Sequence, residues 1–312
     1  VRIGILHPGD MGSAVGAALV RAGHRVGWAS EGRSPATGAR AAADGLVDAG
    51  TVRALAGTSD MLVSICPPHA ALDVASAVGP FAGIYIDANA IAPATTRRVG
   101  QVVVDGDGRF VDGGIIGPPP RRPGTTRLYL SGPDAIEASE AFATPDLETH
   151  VVSAWPGAAS GLKLAYAAWT KGTAALLLAV RAAAEAEGVA DWLLDEWRIS
   201  QSELAERSLG AARSAVTKGW RWDGEMEEVA AMFEADGLPG GFGRAAAEVY
   251  RRAPTRPEGD DGERALDAVI AALRRVAPPG TDTPFGRPVD TAGPGPAAGP
   301  GAPGPAAPDG PE

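Results

Sequence analysis

From Ala158 to Gly188 the chain runs without a proline and is dominated by alanine and leucine. These are the strongest helix formers, so the stretch predicts one helix of about eight turns. It is apolar on nearly every side, which marks a buried helix rather than a surface one. Lys171 and Arg181 bracket an apolar run well short of the ~20 residues that a bilayer requires, so a membrane span is excluded. Within this helix Lys163, Tyr166 and Thr170 fall at i, i+3 and i+7, a polar stripe on one face. A lysine near a helix start sits where the macrodipole favours anions. That misplacement makes Lys163 a candidate for function.

Before this helix, strand and helix signals alternate; after it only helix signals occur. Val1–Leu6 reads as a buried strand of the parallel type. His7-Pro8-Gly9-Asp10-Met11-Gly12 follows, then a small-residue helix over 13–22 and a strand over 25–29. A strand, a glycine-rich turn, a helix and a strand form the βαβ unit that sets a pyrophosphate on a helix N-terminus. By spacing, His7 stands where the first glycine of G-x-G-x-x-G belongs, with Gly9 and Gly12 in the other two places. The second strand ends without a carboxylate at its tip, and Ser30, Arg33 and Ser34 follow. Arg33 and Ser34 suit a 2′-phosphate, which favours NADP(H) over NAD(H); Ser34 is equally the N-cap of a helix opening at Pro35.

Further strands are expected over 61–66, 84–87, 110–117, 127–130 and 148–152. Helices are expected over 69–78, from Pro93, and over 133–142. Cys66, Pro67, Asn89 and Gly117 lie at strand ends, where doubly wound sheets bind ligands. Nothing cationic adjoins Cys66, so it reads as a buried thiol. After Gly188 helices are expected over 191–213, 243–252 and 262–275. Another has an acidic first turn beginning near Glu225 and ends at Gly237. The expected architecture is α/β: a Rossmann-type doubly wound sheet over 1–157, then an all-helical domain on the long central helix over 158–276. Residues 277–312 are Pro, Gly and Ala with little apolar bulk, and read as a disordered tail.

Composition closes several classes. A formal charge of −10 with no basic cluster argues against nucleic acid. The lone Cys66 leaves no disulfide framework or cysteine zinc site, and His69 and His150 lack metal-ligand spacing, so no metal is expected. The chain opens directly on a strand with no signal-peptide pattern, and a cytoplasmic protein is the expectation.

Four motifs, in order, resemble those of the β-hydroxyacid dehydrogenase superfamily, which includes 3-hydroxyisobutyrate and 6-phosphogluconate dehydrogenases and, more distantly, imine reductases. His7–Gly12 looks like G-L-G-x-M-G. Asp87-Ala88-Asn89-Ala90-Ile91-Ala92-Pro93 looks like D-x-S-T-x-x-P, with Asn89 for serine. Phe110–Pro118 is similar to F-x-D-A-P-V-S-G-G, and Gly157–Lys163 to G-x-x-x-x-x-K. The resemblance covers about residues 1–275, and Gly219–Leu238 is similar to a subgroup whose C-terminal domain is like that of 6-phosphogluconate dehydrogenase. It implies hydride transfer between a nicotinamide and a small hydroxy or oxo substrate, with Lys163 as general acid/base and Tyr166 as a relay. It further implies that His7, Pro8, Gly9, Asp10, Met11, Gly12, Ser30, Arg33, Ser34, Cys66, Pro67 and Asn89 border the cofactor. Asn89, Gly117, Pro118 and Thr170 would border the substrate, and the helical domain would form a homodimer. An imine reductase and a non-catalytic dinucleotide sensor are the rival readings; the lysine favours oxygen chemistry over the first and catalysis over the second.

Overall fold

Apolar runs of four or five residues, punctuated by glycine and proline, build the first half. The computed structural model describes residues 1–255 and 261–275; the expected tail over 277–312 lies outside them. β1 (Arg2–Ile5), β2 (Arg25–Trp28), β3 (Val47–Asp48), β4 (Met61–Ser64), β5 (Ile84–Asp87), β6 (Arg109–Ile116), β7 (Arg127–Ser131) and β8 (Glu148–Ser153) form one sheet in the order β3-β2-β1-β4-β5-β6-β7-β8. All neighbours are parallel except β6 and β7. The reversal of strand order on either side of β1 is the switch point that opens a ligand crevice at the strand carboxyl ends.

The helices of this half are α1 (Asp10–Arg21), α2 (Pro35–Ala43), α3 (Val52–Thr58), α4 (Ala71–Val78), α5 (Pro93–Asp105) and α6 (Ala135–Phe142). Side chains alternate across the sheet. Ile3, Ile5, Met61, Val63, Ile84 and Ile86 pack with α1 on one face. Leu62, Tyr85 and Phe110 pack with Leu55, Ala75 and Val99 on the other. Full burial of each large apolar side chain contributes about 1.5–3 kcal/mol, which fixes the register. β3 and α3 were not expected from the sequence: β3 is two exposed residues, too short for an alternating pattern.

α7 (Ala158–Glu187) is the long helix, closed at each end by a glycine of positive φ, Gly157 and Gly188. α8 (Ala190–Ser200), α9 (Leu204–Ala235), α10 (Gly241–Arg252) and α11 (Gly262–Arg274) follow. Leu164, Leu178, Val216, Met226, Val229, Tyr250 and Val269 form their shared core. The helices expected over 191–213 and from about Glu225 are redrawn. The chain breaks at Gln201–Glu203, and α9 then runs unbroken through Gly210, Gly219 and Gly224. Packing overrides the glycine signal: a Cβ at Gly219 would lie 3.4 Å from the Tyr250 ring, so α9 and α10 approach closely there. Val1–Arg275 is one compact unit. Among the described residues no helix is long and apolar enough to cross a membrane, and no cluster of three potential metal ligands occurs.

Candidate active site

The His7–Gly12 turn lies at the end of β1. Gly9 takes the N-cap position of α1 and offers the first amides no side-chain acceptor. A helix start left open in this way accepts an anion. A Cβ on Gly12 would stand 2.3 Å from the His7 carbonyl oxygen, so only glycine allows so tight a turn. Burial, then the nearby Arg33 and Arg40 guanidiniums, depress the pKa of His7 below its ordinary value. Asp10, in the first turn of α1, is paired with Arg40 at 3.3 Å and with Arg221 of α9 at 3.4 Å.

At the end of β2, Ser34 does cap α2, its hydroxyl accepting from the Thr37 amide at 3.3 Å. Arg33 turns back toward β1 and donates from Nη2 to the Leu6 carbonyl at 3.1 Å; its buried Nε–H has no partner. Asp48, at the end of β3, accepts from the Gly50 amide and from Ser30, which hold its carboxyl below the usual range. The loop thus offers one unfilled guanidinium donor.

The tips of β4 and β5 are joined through Asn89. Its Oδ1 accepts from the Cys66 amide at 2.5 Å, and its Nδ2 donates to Ser64 Oγ at 3.0 Å and to Asp87 Oδ2 at 2.9 Å. Both amide hydrogens are therefore taken, and the side chain is 2% exposed. Burial raises the Asp87 carboxyl to about 7 against the Asn89 bonds, aided by the Asp112 charge. Burial also raises the Cys66 thiol to about 11, so it is no nucleophile. Pro67 opens the 3-10 turn Pro68–Ala70. Beyond β6, Gly117 adopts φ 125° and a Cβ there would meet the Thr125 carbonyl oxygen at 2.3 Å, while the Pro118 carbonyl accepts from Thr126 Oγ1 at 2.6 Å.

α7 is fastened to the sheet by Asp112 of β6. Asp112 Oδ2 accepts the Gly157, Ala159 and Ser160 amides at 2.8–3.1 Å and Ser131 Oγ at 2.7 Å; Oδ1 accepts from Ser160 Oγ. A carboxylate on the first amides matches the helix dipole. One turn further, a Cβ on Gly114 would lie 3.0 Å from that of Lys163, so β6 and α7 touch there.

The expected stripe does not stay together. Lys163 turns inward, its Nζ 3.4 Å from Oε1 of Glu225 on α9. Tyr166 is 47% exposed, and the Thr170 hydroxyl donates to the Tyr166 carbonyl at 2.9 Å. Thr170 lines a cleft of about 530 Å³ between α7 and α9 with Lys171, Arg207, Ser214 and Trp222. Glu225, expected to serve the dipole of a helix start, is 6% exposed in mid-helix. Lys171 bonds its other oxygen. Burial alone would raise the Glu225 carboxyl; the two ammoniums outweigh it and hold the carboxyl below its ordinary value. Burial lowers Lys171 to about 8.

The neighbours of Glu225 on α9 reach the loops that follow the strands: Arg221 pairs with Asp10, a Cβ on Gly224 would lie 4.0 Å from Pro68, and Glu228 Oε2 accepts the Ala92 amide at 2.7 Å. Lys163 is thereby held between β6 and α9. Asp112, Lys171, Arg221, Glu225 and Glu228 were not singled out from sequence; an acidic residue three positions past an apolar Trp222, inside a helix, was the available signal for Glu225.

A doubly wound sheet followed by helices on a thirty-residue axis is the architecture of the β-hydroxyacid dehydrogenases. Residues 184–253 match the domain of unknown function DUF1932. An uncharacterized 28.5 kDa protein of Methanothermus fervidus is 34% identical over 140 residues, 44% of this chain and 53% of that protein. The chain thus spans about half the length of that curated relative. A conserved protein of unknown function, described as structurally similar to 3-hydroxyacid dehydrogenases, matches at 26% identity and TM-score 0.61, over 88% of this chain and 98% of that one. Mycobacterium tuberculosis 3-hydroxyisobutyrate dehydrogenase shares the fold at 19% identity and TM-score 0.63, over 88% and 99%. A reductive aminase from Aspergillus terreus in complex with NADPH shares it at 18% and 0.53, over 87% and 98%.

Proposed function

We propose that the chain is an NADP(H)-dependent oxidoreductase of β-hydroxyacid dehydrogenase type, acting on a small hydroxy or oxo substrate. The observation that carries this is Lys163, whose stem lies against β6 and whose amino group is held by a buried carboxylate on α9. The open start of α1 and the unpartnered Nε–H of Arg33 suit a dinucleotide phosphate. The His7–Gly12 amides would take the pyrophosphate, Arg33 and Ser34 the 2′-phosphate, and Cys66 and Pro67 would border the ring. When bound, the nicotinamide supplies or accepts the hydride. Lys163 donates a proton to the carbonyl oxygen during reduction and removes it from the hydroxyl during oxidation. Asn89 shapes the substrate wall through the strand tips it ties, since its amide hydrogens are already bonded.

The test is turnover of NADPH and NADH with a panel of small 2- and 3-oxo acids, aldehydes and cyclic imines. Oxidation of reduced cofactor by oxo compounds, faster with NADPH, is expected. Turnover confined to imines would move the chain to the imine-reductase class, and binding without turnover of any member would make it a sensor. Arg33→Ala should weaken NADPH binding by about 1.5–3 kcal/mol, the loss of a hydrogen bond between charged groups, and leave NADH nearly unchanged. Calorimetry with both cofactors checks this, and equal losses would assign Arg33 a structural role. Homodimerisation through α7 belongs to the same proposal.

A further inference from the structure

α7 and α9 cross over a shared charge. Lys163 and Lys171 lie eight residues apart, about 12 Å along the axis of α7, and both ammoniums reach the one carboxylate of Glu225. Their side chains are 17% and 19% exposed, and that of Glu225 7%. The two arms differ. Lys171 hydrogen-bonds Oε2, whereas Lys163 stands 3.4 Å from Oε1, and Oε1 has no hydrogen-bond partner. The Lys171 end is walled on one side by aromatic rings: Trp222 lies 5.3 Å from its Nζ, Tyr250 of α10 meets Trp222 edge-on at 5.2 Å, and the Tyr250 hydroxyl donates to the Lys171 carbonyl at 2.6 Å. The Lys163 end lies against β6 at Gly114.

We propose that Glu225 is a positioning residue for Lys163, and that Lys171 draws its charge away so that Lys163 is held without being locked. This rests on reading Lys163 as the proton donor. A carboxylate with Lys163 as its only partner would form a close charge-assisted bond, fix the ammonium on α9 and oppose proton release. With Lys171 occupying the other oxygen, the lysine flexible stem keeps its head near the carboxylate yet free to turn toward a substrate oxygen. The other titratable groups that face the pair are Arg221 on α9 and Tyr250 on α10.

The two partners act in opposite senses, and a merely structural role would not reproduce that. In the reduction direction activity falls with rising pH as the donor loses its proton. Glu225→Gln removes the counter-charge and should move this alkaline limb to lower pH by about one unit or more, the scale for a charge at this distance. Lys171→Met removes a repelling charge and should move the limb to higher pH while lowering kcat. Glu225→Asp should restore much of the wild-type profile. Limbs unmoved in both variants, or displaced in the same direction, would overturn the proposal.

A second measurement does not depend on turnover. The chain has three lysines, Lys163, Lys171 and Lys218, which peptide mass spectrometry resolves. Acylation of Lys163 with acetic anhydride at pH 8 should be several-fold faster in Glu225→Gln and slower in Lys171→Met, with Lys218 as internal reference. If no oxo compound or imine is turned over but labelling follows this order, the charge relay stands and the oxidoreductase reading fails. Equal labelling in all three proteins sinks the relay whatever the activity.

Discussion

Lys163 is where the chemistry is decided. Lys163→Met keeps the stem, which packs against β6 at Gly114, and deletes the proton donor. Turnover should fall by roughly 10²–10⁴, the range for general acid–base catalysis, in kcat and kcat/KM alike. Dinucleotide affinity should persist. Stopped-flow reduction and cofactor titration check the two halves of this expectation. The sequence placed Lys163 near a helix start from motif and dipole reasoning. It could not supply Glu225, because a lone acid among acids on α9 looks like a solvated or dipole-serving residue until α7 is laid across it. Asp87 gives a residue-scale test of a different kind. Its folded-state pKa is raised from 3.8 to about 7 by burial. The native chain therefore holds a proton that the unfolded chain has released, and stability should fall as pH rises from about 4 to 7 and level off above. Urea midpoints at pH 5 and 7.5 should differ in wild type and converge in Asp87→Asn.

At the scale of elements, one carboxylate fixes the central helix. Asp112 accepts the amide of the N-cap Gly157, two α7 amides and two hydroxyls. Asp112→Asn leaves one acceptor and turns an amino group toward the N–H donors, and should cost about 3 kcal/mol, the scale for buried bonds to a charged group. Ser131→Ala, which removes one of the five, should cost far less; chemical denaturation of both variants measures the difference. α7 itself was legible because composition and absence of proline leave a helix little alternative. The sheet was legible from its apolar runs, and β3 was not because two residues carry no period. The course of α9 differs from expectation because Gly219 and Gly224 suggested a break between two helices, whereas at Gly219 close packing against Tyr250 is what the missing side chain permits.

On the scale of the whole molecule, α7 presents Leu162, Tyr166, Trp169 and Leu176 to solvent, and Trp169 and Leu176 are 69% and 64% exposed. Their spacing puts them on one side of the helix, a contiguous apolar strip of the kind that marks an interface. Leu178, two residues beyond Leu176, is fully buried within this chain and lies outside that strip. Sedimentation should give a dimer at micromolar concentration, and Trp169→Glu combined with Leu176→Glu should give a folded monomer; a wild-type monomer would remove the basis for this face as a contact. Asp112 has a consequence for anyone recombining such proteins. The acid belongs to the sheet and everything it binds except Ser131 belongs to the helical half. A chimera joined near residue 157 will fold only when the donor of the first half brings an acid at that position and the donor of the second brings a helix start with small residues to meet it. Crossover libraries should therefore keep Asp112 and Gly157–Ser160 from the same parent.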